Sequence, residues 1–202
     1  MKIAGVLLAG GQSQRMGGGD KCLRLLGGRA ILAHIIERAA PQVAALVLNA
    51  NGDPQRFASF GLPVVADPIG GFAGPLAGVL AGLDWAASEV PGATHVASFA
   101  TDAPFLPRDL VAGLRDGMRE GPYDLACAAS EGRAHPVFGL WPLALRADLR
   151  DALEEGLRKV DQWTGRHRLI EVEFPAVPVD PFFNANRPED LEEAERLVGR
   201  AG

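Results

Sequence analysis

Short apolar runs alternate with amphipathic stretches along this chain, and that order constrains the fold more than any other feature. "KIAGVLLA" (2–9), "QVAALVLNA" (42–50), "LPVVAD" (62–67) and "THVASFATD" (94–102) read as buried strands. Between them, "RAILAHIIERAA" (29–40) sets Leu32, Ile35, Ile36 and Ala39 on one helical face, and "PLAGVLAGLDWAAS" (75–88) reads as a helix with Pro75 suited to its first turn. "PRDLVAGLRDGM" (107–118) carries Leu110, Val111, Leu114 and Met118 on one stripe. This β-α-β-α order predicts an α/β domain with a mostly parallel sheet and helices on both faces. From about 124 to 184 the rhythm changes: "DLACAAS" (124–130), "AHPVFGLW" (134–141) and a strand near 168–174 crowd together, with a helix near 142–157. A mixed sheet is expected there, with an antiparallel excursion forming one wall of a cleft. A last helix starts at Pro188. No repeat or linker-like shift in composition divides the chain, so one domain over residues 1–202 is expected.

At 202 residues the chain can bury one well-filled core. Its net charge of −5 argues against a nucleic-acid partner, while a single cationic pocket for a phosphorylated small molecule stays open. Cys22 and Cys127 stand apart with no C-x-x-C pair, which points to a reduced, cytoplasmic protein without a disulfide framework or structural zinc. The apolar opening, Ile3 to Ala9, is too short for a convincing signal peptide. No segment approaches the roughly 18 apolar residues of a membrane span.

The stretch "LLAGGQSQRMGGGDK", Leu7 to Lys21, places five glycines between a strand and a helix. In open α/β sheets ligands bind beyond the carboxyl ends of the strands, where glycine lets backbone N–H groups approach an anion. The spacing fits neither a P-loop nor a G-x-G-x-x-G fingerprint. A solvated surface loop is the plain alternative, but Arg15 and Lys21 bracket the glycines and suit a triphosphate. Asp102 ends the fourth strand, a position suited either to Mg²⁺ or to turn N–H groups. Asp67 ends the third strand before Pro68, where an Asx-turn is the simple reading. Convergence of both with the glycine loop on one sheet edge favours a site. Gly74, Gly78 and Gly82 recur every four residues, a stripe that lets a helix lie close to backbone or ligand. His34, His95, His135 and His167 are scattered, and no G-x-S-x-G is present. Asn184 and Asn186 precede the last helix, placed for capping or for a polar ligand.

Taken together, "LAGGQSQRMGGGDK", "NAN" (49–51), "ADP" (66–68), "GPLAGVLAGL" (74–83), "TDAPFLPRDL" (101–110), "HPVFGLW" (135–141) and "FFNANRPEDL" (182–191) resemble the molybdenum cofactor guanylyltransferases. The first motif is similar to the signature LAGG-x(3)-RMGG-x-DK, and the set spans nearly the whole chain in order. The resemblance implies a single-domain, Rossmann-like nucleotidyltransferase fold that transfers GMP from Mg-GTP to molybdopterin or its molybdenum-loaded form, releasing pyrophosphate. It implies that Leu8, Ala9, Gly10, Lys21, Asn49, Asp67 and Asp102 bind GTP, that Asp102 holds Mg²⁺, and that Arg15 faces the triphosphate. Asn184 and Asn186 would line the molybdopterin side, built from roughly 124–202. It also implies contacts with other proteins of cofactor biosynthesis or with acceptor proteins. One departure is Arg187, where a Thr or Ser is expected, which removes an N-cap worth about 1 kcal/mol.

A phosphate nucleophile is already ionised and needs no general base, so such catalysis rests on positioning and charge neutralisation. Related readings are a transferase using CTP, or one with a sugar-1-phosphate acceptor. A third is a nucleotide-binding module without turnover.

Overall fold

The computed structural model describes residues 1–9, 20–70, 74–185 and 188–198. Strand β1 (Ile3–Leu8) is followed by a short hairpin, β2 (Leu25–Leu26) and β3 (Arg29–Ala30), and by helix α1 (Ile31–Ala39). Next come β4 (Leu46–Asn49), β5 (Val64–Val65), α2 (Pro75–Glu89), β6 (His95–Ala100) and α3 (Leu110–Arg119). The remainder is β7 (Leu125–Ser130), β8 (Arg133–Pro142), α4 (Arg146–Glu154), α5 (Val160–Thr164), β9 (Leu169–Glu173) and α6 (Pro188–Val198).

Seven strands form one sheet in the order β5-β4-β1-β6-β8-β7-β9. All neighbours are parallel except β8, which runs antiparallel to β6 and to β7. Glu131 and Gly132, both at positive φ, close the β7–β8 turn. A link that short permits only an antiparallel pair. The expected antiparallel excursion is therefore present.

Alternation along the strands divides the core into two layers. Ile3 and Leu7 of β1 face a cluster with Ile31, Leu32 and Ile35 of α1, Leu110 and Leu114 of α3, and Ala194 of α6. Ala4 and Val6 face the other side, with Leu76, Leu80 and Leu83 of α2, Leu149 of α4 and Trp163 of α5. Each of these large side chains is close to fully buried, contributing about 1.5–3 kcal/mol apiece. Helix α2 is enclosed on two sides, by the sheet and by α4, with Arg150 of α4 donating to the Asp84 carboxylate at 2.6 Å. That explains why its residues Leu76 to Leu83 are all buried.

Three details differ from the sequence reading. The segment 29–40 is not helical from its start: Gly27 and Gly28 at positive φ turn β2 back onto β3, and the helix begins at Ile31. The third strand narrows to Val64–Val65, because Asp67 turns to bond Asn51. The expected 142–157 helix is shorter, Arg146–Glu154, with a 3₁₀ turn at Leu143–Leu145, and α5 is an additional element.

Candidate active site

The sheet register assembles the site. Leu8 lies opposite both Asn49 of β4 and Ala100 of β6, and Asn49 lies opposite Val65 of β5. One row across four parallel strands thus ends together, and the chain leaves it as Ala9, Asn51, Asp67 and Asp102. Strand order reverses beside β1, the position where open α/β sheets bind ligands. A cavity of about 550 Å³ opens there. Leu8, Ala9, Lys21, Asn49, Asp67, Asp102 and Asn184 all line it, as do Asp20, Cys22, Thr101, and Gly74 and Pro75 at the start of α2, its N-cap and first residue. Val137 and Phe138 of β8 supply the opposite wall. Gly10, Arg15, Asn186 and the departure at Arg187 lie outside the described residues, as does most of the glycine loop.

Asn49 is 2% exposed. Its Nδ2 donates to Asp67 Oδ1 at 2.9 Å and to the Val65 carbonyl at 3.3 Å. Facing a carboxylate fixes which end of the amide is nitrogen, and both amide hydrogens are engaged within the protein. Asn51 Nδ2 donates to the other Asp67 oxygen at 2.7 Å, while Asp67 N–H donates back to Asn51 Oδ1 at 2.9 Å. This wall of the cavity is therefore a closed lattice of Asn49, Asp67 and Asn51. Room for it comes from Gly78, where a Cβ would overlap Asn49 Oδ1 and approach Leu8 Cδ2 to 2.7 Å. Gly78 and Gly82 let α2 lie close on β1 and β4, with Gly82 set against Val6, whereas Gly74 caps the helix at φ +72 and faces the Arg158 carbonyl.

On the other side of β1, the Thr101 hydroxyl donates to the Leu8 carbonyl at 3.0 Å, and Ala9 N–H donates to the Asn49 carbonyl at 2.9 Å. Both bonds hold the start of the glycine loop between its neighbours. Burial pushes the Cys22 thiol up to about 12, with the Asp20 charge adding to the effect, so Cys22 serves as an apolar floor.

The second wall is fastened through Asp180. Ser130 Oγ donates to Asp180 Oδ1 at 3.1 Å, and its oxygen takes the Nε2–H of His135 at 2.8 Å. His135 packs on Phe182 with ring centroids 4.6 Å apart, and burial lowers its pKa. Here serine stands between histidine and aspartate, an order that orients a loop and does not activate a nucleophile. Ala185 N–H donates to the Asp102 carbonyl at 2.8 Å, which sets exposed Asn184 on the cavity rim beside the end of β6.

Asp20, Asn51, Arg56, Thr101 and the Ser130–His135–Asp180 group were not singled out as site-forming residues by the sequence. The quoted motifs contain Asp20, Asn51, Thr101 and His135, but not Arg56, Ser130 or Asp180, and the partners they meet lie far away in the chain.

A switch-point cavity lined by a lysine and strand-end carboxylates is the arrangement of an open α/β ligand-binding domain. The model of the MobA-like NTP transferase domain matches residues 5–169. The molybdenum cofactor guanylyltransferase of Bradyrhizobium sp. (strain ORS 278) is 60% identical over 197 residues, covering 97% of this chain and 93% of that protein. A crystal structure of molybdopterin-guanine dinucleotide biosynthesis protein A from Archaeoglobus fulgidus shares the fold with a TM-score of 0.73 at 22% identity, covering 99% of this chain and 100% of that one. A Mycobacterium tuberculosis protein solved in complex with manganese superposes with a TM-score of 0.69 at 18% identity, over 98% and 100% of the two chains. The chain belongs to the molybdenum cofactor guanylyltransferase family, within the MobA-like NTP transferases.

Proposed function

We propose that this chain transfers GMP from GTP to molybdopterin, or to its molybdenum-loaded form, to make the guanine dinucleotide cofactor. A terminal phosphate oxygen of the pterin attacks the α-phosphorus of GTP, the bond to the β-phosphate oxygen breaks, and pyrophosphate leaves. The observation that carries the reading is the meeting of Leu8, Ala9, Lys21, Asn49, Asp67, Asp102 and Asn184 around one cavity at the strand ends. Leu8 to Gly10 and the Asn49–Asp67–Asn51 lattice would hold the guanine side. Lys21, with Arg15, would face the triphosphate and take up charge as it shifts to the leaving group. Asn184 and Asn186 would meet the pterin.

The reaction uses a divalent metal, Mg²⁺ in this reading, which neutralises phosphate charge when bound. Among the described residues, no group of three His, Cys, Asp or Glu side chains could hold such an ion by itself. That fits a site in which one carboxylate is joined by substrate phosphates and water, as Mg²⁺ is usually bound. Asp102, which lines the cavity just beyond β6, is the carboxylate we assign to it. Asp67 serves elsewhere, with both oxygens accepting amide hydrogens.

No helix among the described residues is long and apolar enough to cross a membrane. Both cysteines are buried free thiols, in keeping with a cytoplasmic setting where molybdopterin and proteins that make or accept the cofactor are the partners.

Pyrophosphate release with GTP, Mg²⁺ and molybdopterin tests the reading. The parent protein is expected to release pyrophosphate only when all three are present. Asp102→Asn is expected to lower turnover on the order of 10²-fold or to raise the metal requirement, with little change in melting temperature. Unaltered activity and metal dependence in that variant would return Asp102 to a turn-forming role.

A further inference from the structure

The 3₁₀ helix Pro54–Phe60 carries one arginine, Arg56, which reaches Asp20 on the cavity lining. Arg56 Nε donates to Asp20 Oδ2 at 2.5 Å. Its two terminal nitrogens donate to main-chain carbonyls, one to Asp53 at 2.5 Å and one to Asn51 at 2.6 Å. The guanidinium also lies over the Phe57 ring, 4.6 Å from its centroid. Gly52, at φ +84, brings the loop close, and a Cβ there would sit 3.3 Å from an Arg56 nitrogen. Every guanidinium nitrogen thus has an acceptor, and the ion pair is only 20–28% exposed. A planar fork held this way is not interchangeable with a mobile surface cation.

Asp20 belongs to the Asp-Lys end of the opening motif and is an anion where the triphosphate is proposed to bind. It precedes Lys21, both line the cavity, and a carboxylate there repels phosphate and competes for nearby cations. The lattice of the cavity wall does not need Arg56, since Asn49, Asp67 and Asn51 bond one another and Ala50 N–H donates to the Val65 carbonyl at 2.9 Å. The loop carbonyls orient the arginine, and the arginine's remaining bond goes to Asp20.

We propose that Arg56 is a positioning residue that neutralises the Asp20 carboxylate and holds it away from Lys21 and the bound triphosphate. The proposal rests on the GTP reading of the cavity and adds a residue outside its lining. Without Arg56, Asp20 stands unpaired beside the phosphates, and the penalty falls on phosphate binding and spares guanosine.

Calorimetry with GTP, inorganic tripolyphosphate and guanosine tests this on the whole chain. Arg56→Ala is expected to weaken GTP and tripolyphosphate by roughly tenfold or more, with guanosine within about twofold of the parent. Adding Asp20→Asn to Arg56→Ala is expected to recover most of the lost affinity, a rescue that a merely structural arginine would not show. Arg56→Gln, which keeps an amide donor and much of the side-chain bulk but drops the charge, carries the same comparison if Arg56→Ala is not stably folded. Equal losses for guanosine and tripolyphosphate, or no recovery in the double variant, would overturn the proposal. A parent that binds GTP, with Arg56→Ala binding equally well, would remove the Asp20 assignment alone. A parent that binds no GTP would remove the nucleotide reading, and this proposal with it.

Discussion

Asn49 keeps both amide hydrogens inside the protein, on Asp67 and the Val65 carbonyl, so in the proposed reading it acts by holding a wall of the cavity in shape. Asn49→Asp is the sharpest test at this position, since it sets a second carboxylate against Asp67. It is expected to cost about 1–3 kcal/mol of stability, the scale of a buried polar group that loses its partner. An unshifted melting temperature at neutral pH would show that the lattice is not structural. The cysteines carry a pH dependence of their own. Burial raises both Cys22 and Cys127 from 9.0 to about 12. Their neutral form is favoured in the folded state, so this stabilisation is complete below about pH 9 and is lost as pH rises toward 12. Denaturant titrations across that range should show stability falling, and falling less steeply in a Cys22→Ala/Cys127→Ala double variant. Equal slopes would contradict the assignment.

Helix α2 shows what a sequence can and cannot disclose about an element. The recurrence of Gly74, Gly78 and Gly82 announces a close approach, but the partners Leu8, Asn49 and Val6 come from strands that only the tertiary fold brings near. Gly82→Ala places a methyl 2.7 Å from the Val6 Cβ. It is expected to cost roughly 1–3 kcal/mol of stability by overpacking, with GTP affinity of the folded protein retained. Gly78→Ala meets the Asn49 amide as well, and is expected to lower both stability and GTP affinity. Denaturant unfolding and calorimetry on the two variants separate these effects, and matching losses of affinity would contradict the distinction. The other elements divide along the same physical line. Apolar runs such as "GVLL" and "ASFA" were legible as strands because burial on both faces leaves a continuous hydrophobic signature. The β2–β3 hairpin escaped because two-residue strands carry too little pattern, although Gly27-Gly28 between them was a usable turn signal. Within the site, glycines, lysine and strand-end carboxylates were legible by type. Arg56 and Ser130 were not, since their importance lies entirely in the partners they meet.

For the molecule as a whole, the mixed sheet gathers residues from Leu8 to Asn184 at one edge, with β8 and the Asp180–Ala185 segment closing the side opposite the nucleotide loops. The net charge of −5 offers no general attraction for a triphosphate, so binding depends on the local cations and N–H groups at that edge. Selection among nucleotides depends on the base edge alone, because GTP, CTP and ATP share the triphosphate. Guanine offers N–H donors and a carbonyl acceptor, and a site built to bond that edge leaves its own groups unpaired with another base. The measurement that tests the account most directly is the rate of pyrophosphate release with molybdopterin and Mg²⁺, at subsaturating GTP, CTP or ATP. The account predicts that GTP exceeds both by on the order of 10²-fold or more in kcat/KM. Equal rates with GTP and CTP would contradict guanylyl transfer while leaving nucleotidyl transfer in place.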